Sequence, residues 1–370
     1  MDNNNRKVIV VSAVNLRKGG TLTILKDCLQ YLSSELTQQY RIVALVHKKD
    51  LCDYPGIEYV EMPYIINGWG KRLWCEYVTM HRISQQLAPV YLWLSLHDTS
   101  PRVIADRQAV YCQTSFPFFK WHWHDFKMDF KIPLFAMFTR FAYQINVRSN
   151  KYLIVQQQWL RDGFSKMLGI DSRKFIVAPP QKKSFSITAE KIKTDFYTFF
   201  FASTSDCHKN FETLCKASRL LENEVGTDKF RVVMTVGGQE NKYAKWLFAH
   251  WGHVKSLDFA GFMSKERLYG YYQTADCLVF PSRVETWGLP ISEFMETGKP
   301  MLLADLPYAH ETAAGSQKTA FFSPEDANAL KECMKRLLEG DESELGRAEK
   351  QTLKEPQTDS WKGLFDLLLE

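Results

Sequence analysis

Glu285 and Glu293 stand with seven residues between them in the stretch Phe280-Pro-Ser-Arg-Val-Glu-Thr-Trp-Gly-Leu-Pro-Ile-Ser-Glu-Phe-Met-Glu-Thr-Gly-Lys-Pro300. The apolar run 276–280 ends at Pro281 and reads as a strand. Residues 289–297 have helical spacing, with Pro290 in the first turn and Gly298 as a stop. A helix opening at 288–290 aims unpaired backbone N–H groups and the positive end of its dipole at the loop mouth, which stabilises a diphosphate without a metal. Glu285 lies in the loop and Glu293 about one turn into the helix, so two carboxylates flank one ligand from opposite ends. Such acceptors suit the hydroxyls of a sugar and a ribose, and the constellation predicts a nucleotide-sugar site.

Other residues offer related chemistry. Lys209, in Ser203-Thr-Ser-Asp-Cys-His-Lys-Asn-Phe-Glu-Thr-Leu214 between a strand and a helix, places a compact cation where a diphosphate would lie. Gly19 and Gly20 follow the first strand, but without a full GxGxxG they read equally as a turn. Glu240 and Lys242, after Gly237-Gly238, read as a solvated loop, and His97 as a satisfied structural histidine. His122, His124 and Asp125 have metal-ligating types, yet positions i and i+2 do not share a helix face and no third ligand is evident. No metal is expected.

The elements that must hold these residues follow from length and periodicity. A chain of 370 residues exceeds the size of one usual core, which predicts two domains of roughly 180 residues with a site in the cleft between them. Hydrophobic content of 45% with 24% charged residues excludes a disordered chain. The eight cysteines form no CxxC pair and no secretory leader precedes the apolar run 8–11, so reduced thiols and a cytoplasmic setting are expected. No window approaches the roughly 20 apolar residues of a membrane span. The net charge of +5 is compatible with anionic nucleotides, lipid headgroups or nucleic acid and selects none of them. Residues 7–13 form an apolar run without alternation, as in a parallel strand covered on both faces, followed by a helix over 22–36. Runs at 41–47, 57–62, 90–96 and 109–113 read as further strands, and 72–87 as a helix. After the linker-like 181–194, strands at 196–202, 230–236 and 258–262 alternate with helices at 211–223 and 265–275. Two doubly wound, Rossmann-like α/β halves result.

The block from Phe280 to Pro300 resembles the signature of the family four (group 1) retaining glycosyltransferases of the GT-B fold: Pro-Ser after a strand, Glu, a Gly-containing turn, Leu-Pro, a second Glu, then Gly and Pro. Val254 to Phe262, followed by Tyr269-Gly-Tyr-Tyr-Gln-Thr-Ala-Asp276, is also similar, and the likeness extends over most of the chain. The resemblance implies that Glu285 meets the donor sugar, that Glu293 holds the ribose, that Trp287, Gly288 and Leu289 supply backbone contacts to the diphosphate, and that the backbone near Phe262 receives the nucleobase. It implies that Gly19 and Gly20 approach donor phosphate and acceptor. Lys209 falls in the family's basic diphosphate motif, but the companion Arg is replaced by Ser203, Thr204 and Ser205. Gln113 stands where the family commonly has a His contacting the transferred sugar; it can hydrogen-bond a hydroxyl but cannot titrate. The implied domains are an N-terminal acceptor-side domain at 1–180, a nucleotide-sugar domain at 181–357, and a terminal helix at 358–370 that returns to the first domain.

Within 116–143, aromatic and basic residues alternate. Three readings fit: core packing of the first domain, an aromatic nucleic-acid platform, and an interfacial membrane patch, the last favoured over the second because a lipid-linked acceptor brings a cytosolic enzyme to a bilayer. The expected function is metal-independent transfer of a sugar, with retention, from a nucleoside-diphosphate-sugar to a saccharide or glycolipid acceptor in surface polysaccharide biosynthesis. No cofactor beyond the donor and no nucleic-acid partner are expected. Two other readings stand beside it: a catalytically silent nucleotide- or sugar-binding subunit, and a GT-B enzyme of another reaction such as a nucleotide-sugar epimerase.

Overall fold

The computed structural model describes residues 6–66, 68–181 and 195–370; the linker-like stretch read at 181–194 lies almost wholly outside them. The described residues fall into two compact units, one within Met1–Thr114, Phe138–Gln181 and Leu353–Glu370, the other within Ser115–Met137 and Lys182–Thr352.

The first unit is built on seven parallel strands: β1 (Lys7–Ala13), β2 (Tyr40–Val46), β3 (Ile57–Glu61), β4 (Val90–Ser95), β5 (Arg107–Tyr111), β6 (Tyr152–Val155) and β7 (Phe175–Val177). Their order is β3-β2-β1-β4-β5-β6-β7, the doubly wound arrangement in which crossovers cover both faces. β1 explains its own composition. Ile9, Val11 and Ala13 enter one core with Leu25, Leu29 and Leu92, while Val8 and Val10 enter another with Met80 and Trp93, so both faces are covered, and the one buried polar residue of the strand, Ser12, is hydrogen-bonded to His97 and Trp93. The terminal helix Trp361–Leu369 packs back on this unit, with Trp361, Leu364, Phe365 and Leu368 in the first of those cores. Tyr31 stacks on Phe365 at 5.5 Å, and the Tyr91 hydroxyl donates to the Leu369 carbonyl at 2.8 Å.

The second unit carries six parallel strands, β8 (Tyr197–Phe201), β9 (Phe230–Met234), β10 (Leu257–Phe259), β11 (Cys277–Phe280), β12 (Met301–Ala304) and β13 (Thr319–Phe322), in the order β10-β9-β8-β11-β12-β13. Both sheets therefore have Rossmann-like topology, as the sequence predicted.

Three local differences from the sequence reading have physical causes. The first helix starts at Gly19 rather than near 22 and passes at Leu32 into a π-helical turn, because Gly19 takes a φ of +64° that lets the chain turn directly into the helix. The helix read at 72–87 is a run of Trp69–Trp74, a π turn at Cys75–Thr79 and Met80–Leu87. The third strand of the second half stops at Phe259 because Gly261, at φ +72°, turns the chain outward. The aromatic-basic stretch departs from the core reading: residues 115–137 belong to the second unit, not to the core of the first. Phe119, Ala136 and Tyr143 are buried, whereas Trp123, Phe130, Phe138 and Phe141 are exposed.

Candidate active site

Two loops at the C-terminal ends of adjacent strands make the site of the second unit. After β8, a single turn Cys207–Lys209 leads to Asn210, whose left-handed backbone (φ 61°) starts the helix Phe211–Val225. Asn210 ties loops together: its amide donates to the carbonyls of Pro281 (3.1 Å) and Pro324 (2.8 Å) and its oxygen accepts from Thr213 (2.9 Å). After β11, Glu285 reaches back across the loop pair and accepts from Lys209 Nζ at 2.6 Å, with the two side chains 14% and 13% exposed. The cation and the first carboxylate, 76 residues apart in sequence, are thus one ion pair.

Past Glu285 the chain turns through Gly288 at φ +87° into the helix Leu289–Met295, with Pro290 in its first turn. Thr312 Oγ1 donates to the Trp287 carbonyl, and Trp287 Nε1 donates to Ser292 Oγ at 3.2 Å, fixing the turn from both sides. The helix begins where the sequence placed it, with Gly288 as its N-cap. Glu293 is one turn in. Its Oε2 accepts from the Tyr272 hydroxyl at 3.0 Å. Burial pushes its carboxyl up from 4.5 to about 7, while the Tyr272 hydrogen bond and Lys265 work in the opposite direction. Phe262 follows the turn at Gly261 and is 91% exposed.

Sequence reasoning missed Asn210, Arg283 and Tyr272. The run Tyr269-Gly-Tyr-Tyr carried a signal for the last, since a helical face with buried tyrosines needs hydroxyl partners. His208, beside Lys209, is buried against the rings of Phe116 (5.0 Å) and Phe119 (6.1 Å). Burial, reinforced by Lys209 and Arg283, holds it far below the usual imidazole range, so it is neutral. Glu240 is exposed, as a loop charge would be, and is also tied to its own loop. It accepts from the backbone N–H of Gly237 and Gln239, and Lys242 donates to the Lys127 carbonyl. His122 and His124 diverge, to Glu325 at 3.4 Å and Glu212 at 3.3 Å. Among the described residues no group of three or more His, Cys, Asp and Glu could hold a metal, and no helix is long and apolar enough to cross a membrane.

In the first unit, Gly19 and Gly20 open the first helix, and a Cβ on Gly19 would meet nothing within 4 Å. Gln113 lies two residues past β5; its side-chain amide donates to the Leu96 carbonyl at 2.6 Å and its backbone N–H to Asp98 Oδ1 at 2.5 Å. Asp98 is held at φ +71°, and burial raises its carboxyl to about 6 against the backbone N–H of Gln113 and the charge of Arg72. His97 is a satisfied structural histidine: it meets Ser12 Oγ and Thr99 Oγ1, both at 3.1 Å, and burial lowers it to about 4.

Two doubly wound parallel units with a returning terminal helix define the GT-B class of fold. Residues 182–352 match the family model of Glycosyl transferases group 1. The O-antigen chain mannosyltransferase RfbU of Salmonella typhimurium is 23% identical over 204 residues, 54% of this chain and 55% of that protein; the match spans about half the length of that relative. Sucrose-phosphate synthase from Thermosynechococcus elongatus has a similar fold at TM-score 0.63 and 14% identity, covering 93% of this chain and 92% of that one. Anabaena HepE in complex with UDP and glucose does so at TM-score 0.61 and 13% identity, covering 91% and 92%.

Proposed function

We propose that this chain transfers a sugar from a nucleoside-diphosphate-sugar to a saccharide or lipid-linked acceptor, with retention of anomeric configuration and without a metal, in the assembly of a surface polysaccharide. The observation that carries this reading is the Lys209–Glu285 ion pair beside the Trp287–Leu289 turn of a group 1 domain. The O-antigen relative and the UDP- and glucose-bound fold neighbour support the polysaccharide setting and the donor class.

In this scheme the donor diphosphate displaces Glu285 as partner of Lys209, and the helix-start amides share the negative charge that develops on the leaving group. Glu285, released from the lysine, orients the sugar hydroxyls. Glu293, once ionised, accepts from the ribose, and the backbone near Phe262 meets the base. Gly19, Gly20 and Gln113 of the first unit take the acceptor and sugar contacts. Peripheral membrane contact on the cytosolic face is assigned to 116–143 and its continuation. The helix Lys131–Gln144 and its flanks expose Phe130, Met137, Phe138, Phe141 and Ile145, and no acidic residue occurs from 130 to 161. An apolar face with basic neighbours suits an anionic bilayer; sedimentation with anionic but not neutral vesicles is the expected result.

The experiment that tests the donor site is a thermal-shift panel of UDP, GDP, ADP, CMP and dTDP with EDTA throughout and Glu293→Ala as control. One diphosphate is expected to raise Tm in the wild type alone, after which the product anomer decides retention. No shift with any nucleotide would remove the reading. One observation favours a silent binding subunit instead: the Gln113 amide nitrogen is already engaged by the Leu96 carbonyl. Nucleotide binding without donor consumption over an acceptor panel would establish that alternative.

A further inference from the structure

Lys209 and Glu285 sit on separate loops, and something must hold those loops in register. Arg283, two residues before Glu285, does so. Its guanidinium donates to the Cys207 carbonyl at 3.0 Å and its backbone N–H donates to the His208 carbonyl at 2.8 Å, so it spans from the strand-end loop of β11 to the turn that ends in Lys209. The guanidinium is itself gripped by Asp125 in a two-pronged ion pair, Nη1 to Oδ2 at 3.0 Å and Nη2 to Oδ1, with the Phe119 ring 5.1 Å away. The side chains are 8% and 1% exposed. Asp125 also caps its own helix Trp123–Met128 by accepting from the His122 N–H at 2.7 Å, which fixes the carboxylate before it meets the arginine. A planar bidentate pair constrains direction as well as distance.

We infer that Asp125, acting through Arg283, is a positioning residue of the donor site: it sets the separation of the Lys209 and Glu285 loops, although it lies in the inserted segment 115–137 and touches neither residue of the pair. The inference rests on the donor-site reading above. A buried ion pair has no necessary stabilising value over an apolar pair of similar volume, so register gives this one its use. A displacement of about 1 Å at a reacting centre costs on the order of 100-fold in rate.

The test compares wild type, Asp125→Glu, Asp125→Asn and the paired Asp125→Leu with Arg283→Met, measuring nucleotide affinity, kcat, donor KM and Tm, with activities read below each Tm. Asp125→Asn is expected to lose roughly 10–100-fold in kcat with donor KM changed much less, and Asp125→Glu, which keeps the charge and should fold, to lose less. The apolar pair is expected to recover Tm but not kcat. Recovery of kcat together with Tm in the apolar pair, or wild-type kcat in Asp125→Asn and Asp125→Glu, would overturn the inference and leave the ion pair merely structural. Failure of the wild type itself to bind a nucleotide would instead overturn the donor-site reading.

Discussion

Replacing Glu293 by Gln separates two consequences of burying an acid at the start of a helix. The folded protein holds this carboxyl near 7 against 4.5 for a free one, a preference for the neutral form of up to about 3 kcal/mol at roughly 1.4 kcal/mol per pKa unit; partial exposure makes that an upper bound. Between those two pH values the folded chain binds more protons than the unfolded chain, so stability falls as pH rises across the window. The stabilisation from the neutral acid is complete below about 4.5 and gone above about 7. Gln cannot titrate, retains the shape, and can still meet the Tyr272 hydroxyl. The variant should therefore be more stable than wild type at pH 8, by up to about 6–12 °C in Tm at roughly 2–4 °C per kcal/mol, with the gap nearly closed at pH 5. Nucleotide binding should move the other way. Ribose hydroxyls donating to an ionised carboxylate contribute about 1.5–3 kcal/mol, so titration calorimetry at pH 8 should show binding weakened by about 10–150-fold. A Tm difference that is the same at both pH values would refute the burial argument, and unchanged affinity would refute the ribose assignment.

Tyr272→Phe removes a hydrogen bond that lowers the Glu293 carboxyl, so the midpoint of the pH dependence of nucleotide affinity should rise above that of wild type; an unmoved midpoint would mean that another group controls it. Lys209→Met deletes one partner of the ion pair to Glu285 and leaves a carboxylate with little solvent; a loss of about 1–3 kcal/mol in stability is expected, together with about 100-fold in kcat and a smaller change in donor KM, read by steady-state kinetics. Gly288→Ala forces a side chain onto a backbone at φ +87° and brings its Cβ to 3.2 Å from Ile291 Cδ1. The strain should cost about 1–2 kcal/mol and lower Tm accordingly; an unchanged Tm would show that the turn relaxes freely.

What could be seen in the sequence was what local chemistry dictates. The strands β1, β2, β4, β8 and β9 are apolar runs long enough to have no competing reading, β11 is short but is ended by Pro281, and Pro290 with Gly298 frames a helix by backbone geometry alone. The segments left unassigned, Tyr152–Val155, Phe175–Val177, Met301–Ala304 and Thr319–Phe322, are only three or four residues long. At that length periodicity cannot separate a buried strand from a turn of helix, and their pairing partners decide the matter.

The site divides along the same line. Glu285 and Glu293 were legible because their loop and helix belong to one continuous stretch, and Lys209 because a cation between a strand and a helix has a use. The contact between Lys209 and Glu285 was not legible, since it depends on β8 and β11 being neighbours, a fact of sheet order set by pairings such as Cys277 with Phe199. The place of Asp125 was further out of reach. Read alone, His-Trp-His-Asp offers a metal or a surface, and the aromatics around it offer a core or a membrane. Only the return of 115–137 onto the second unit brings Asp125 to Arg283. Burial then changes the meaning of both charges: two groups that would be unremarkable in water are, on the inference drawn above, the spacer between the Lys209 and Glu285 loops.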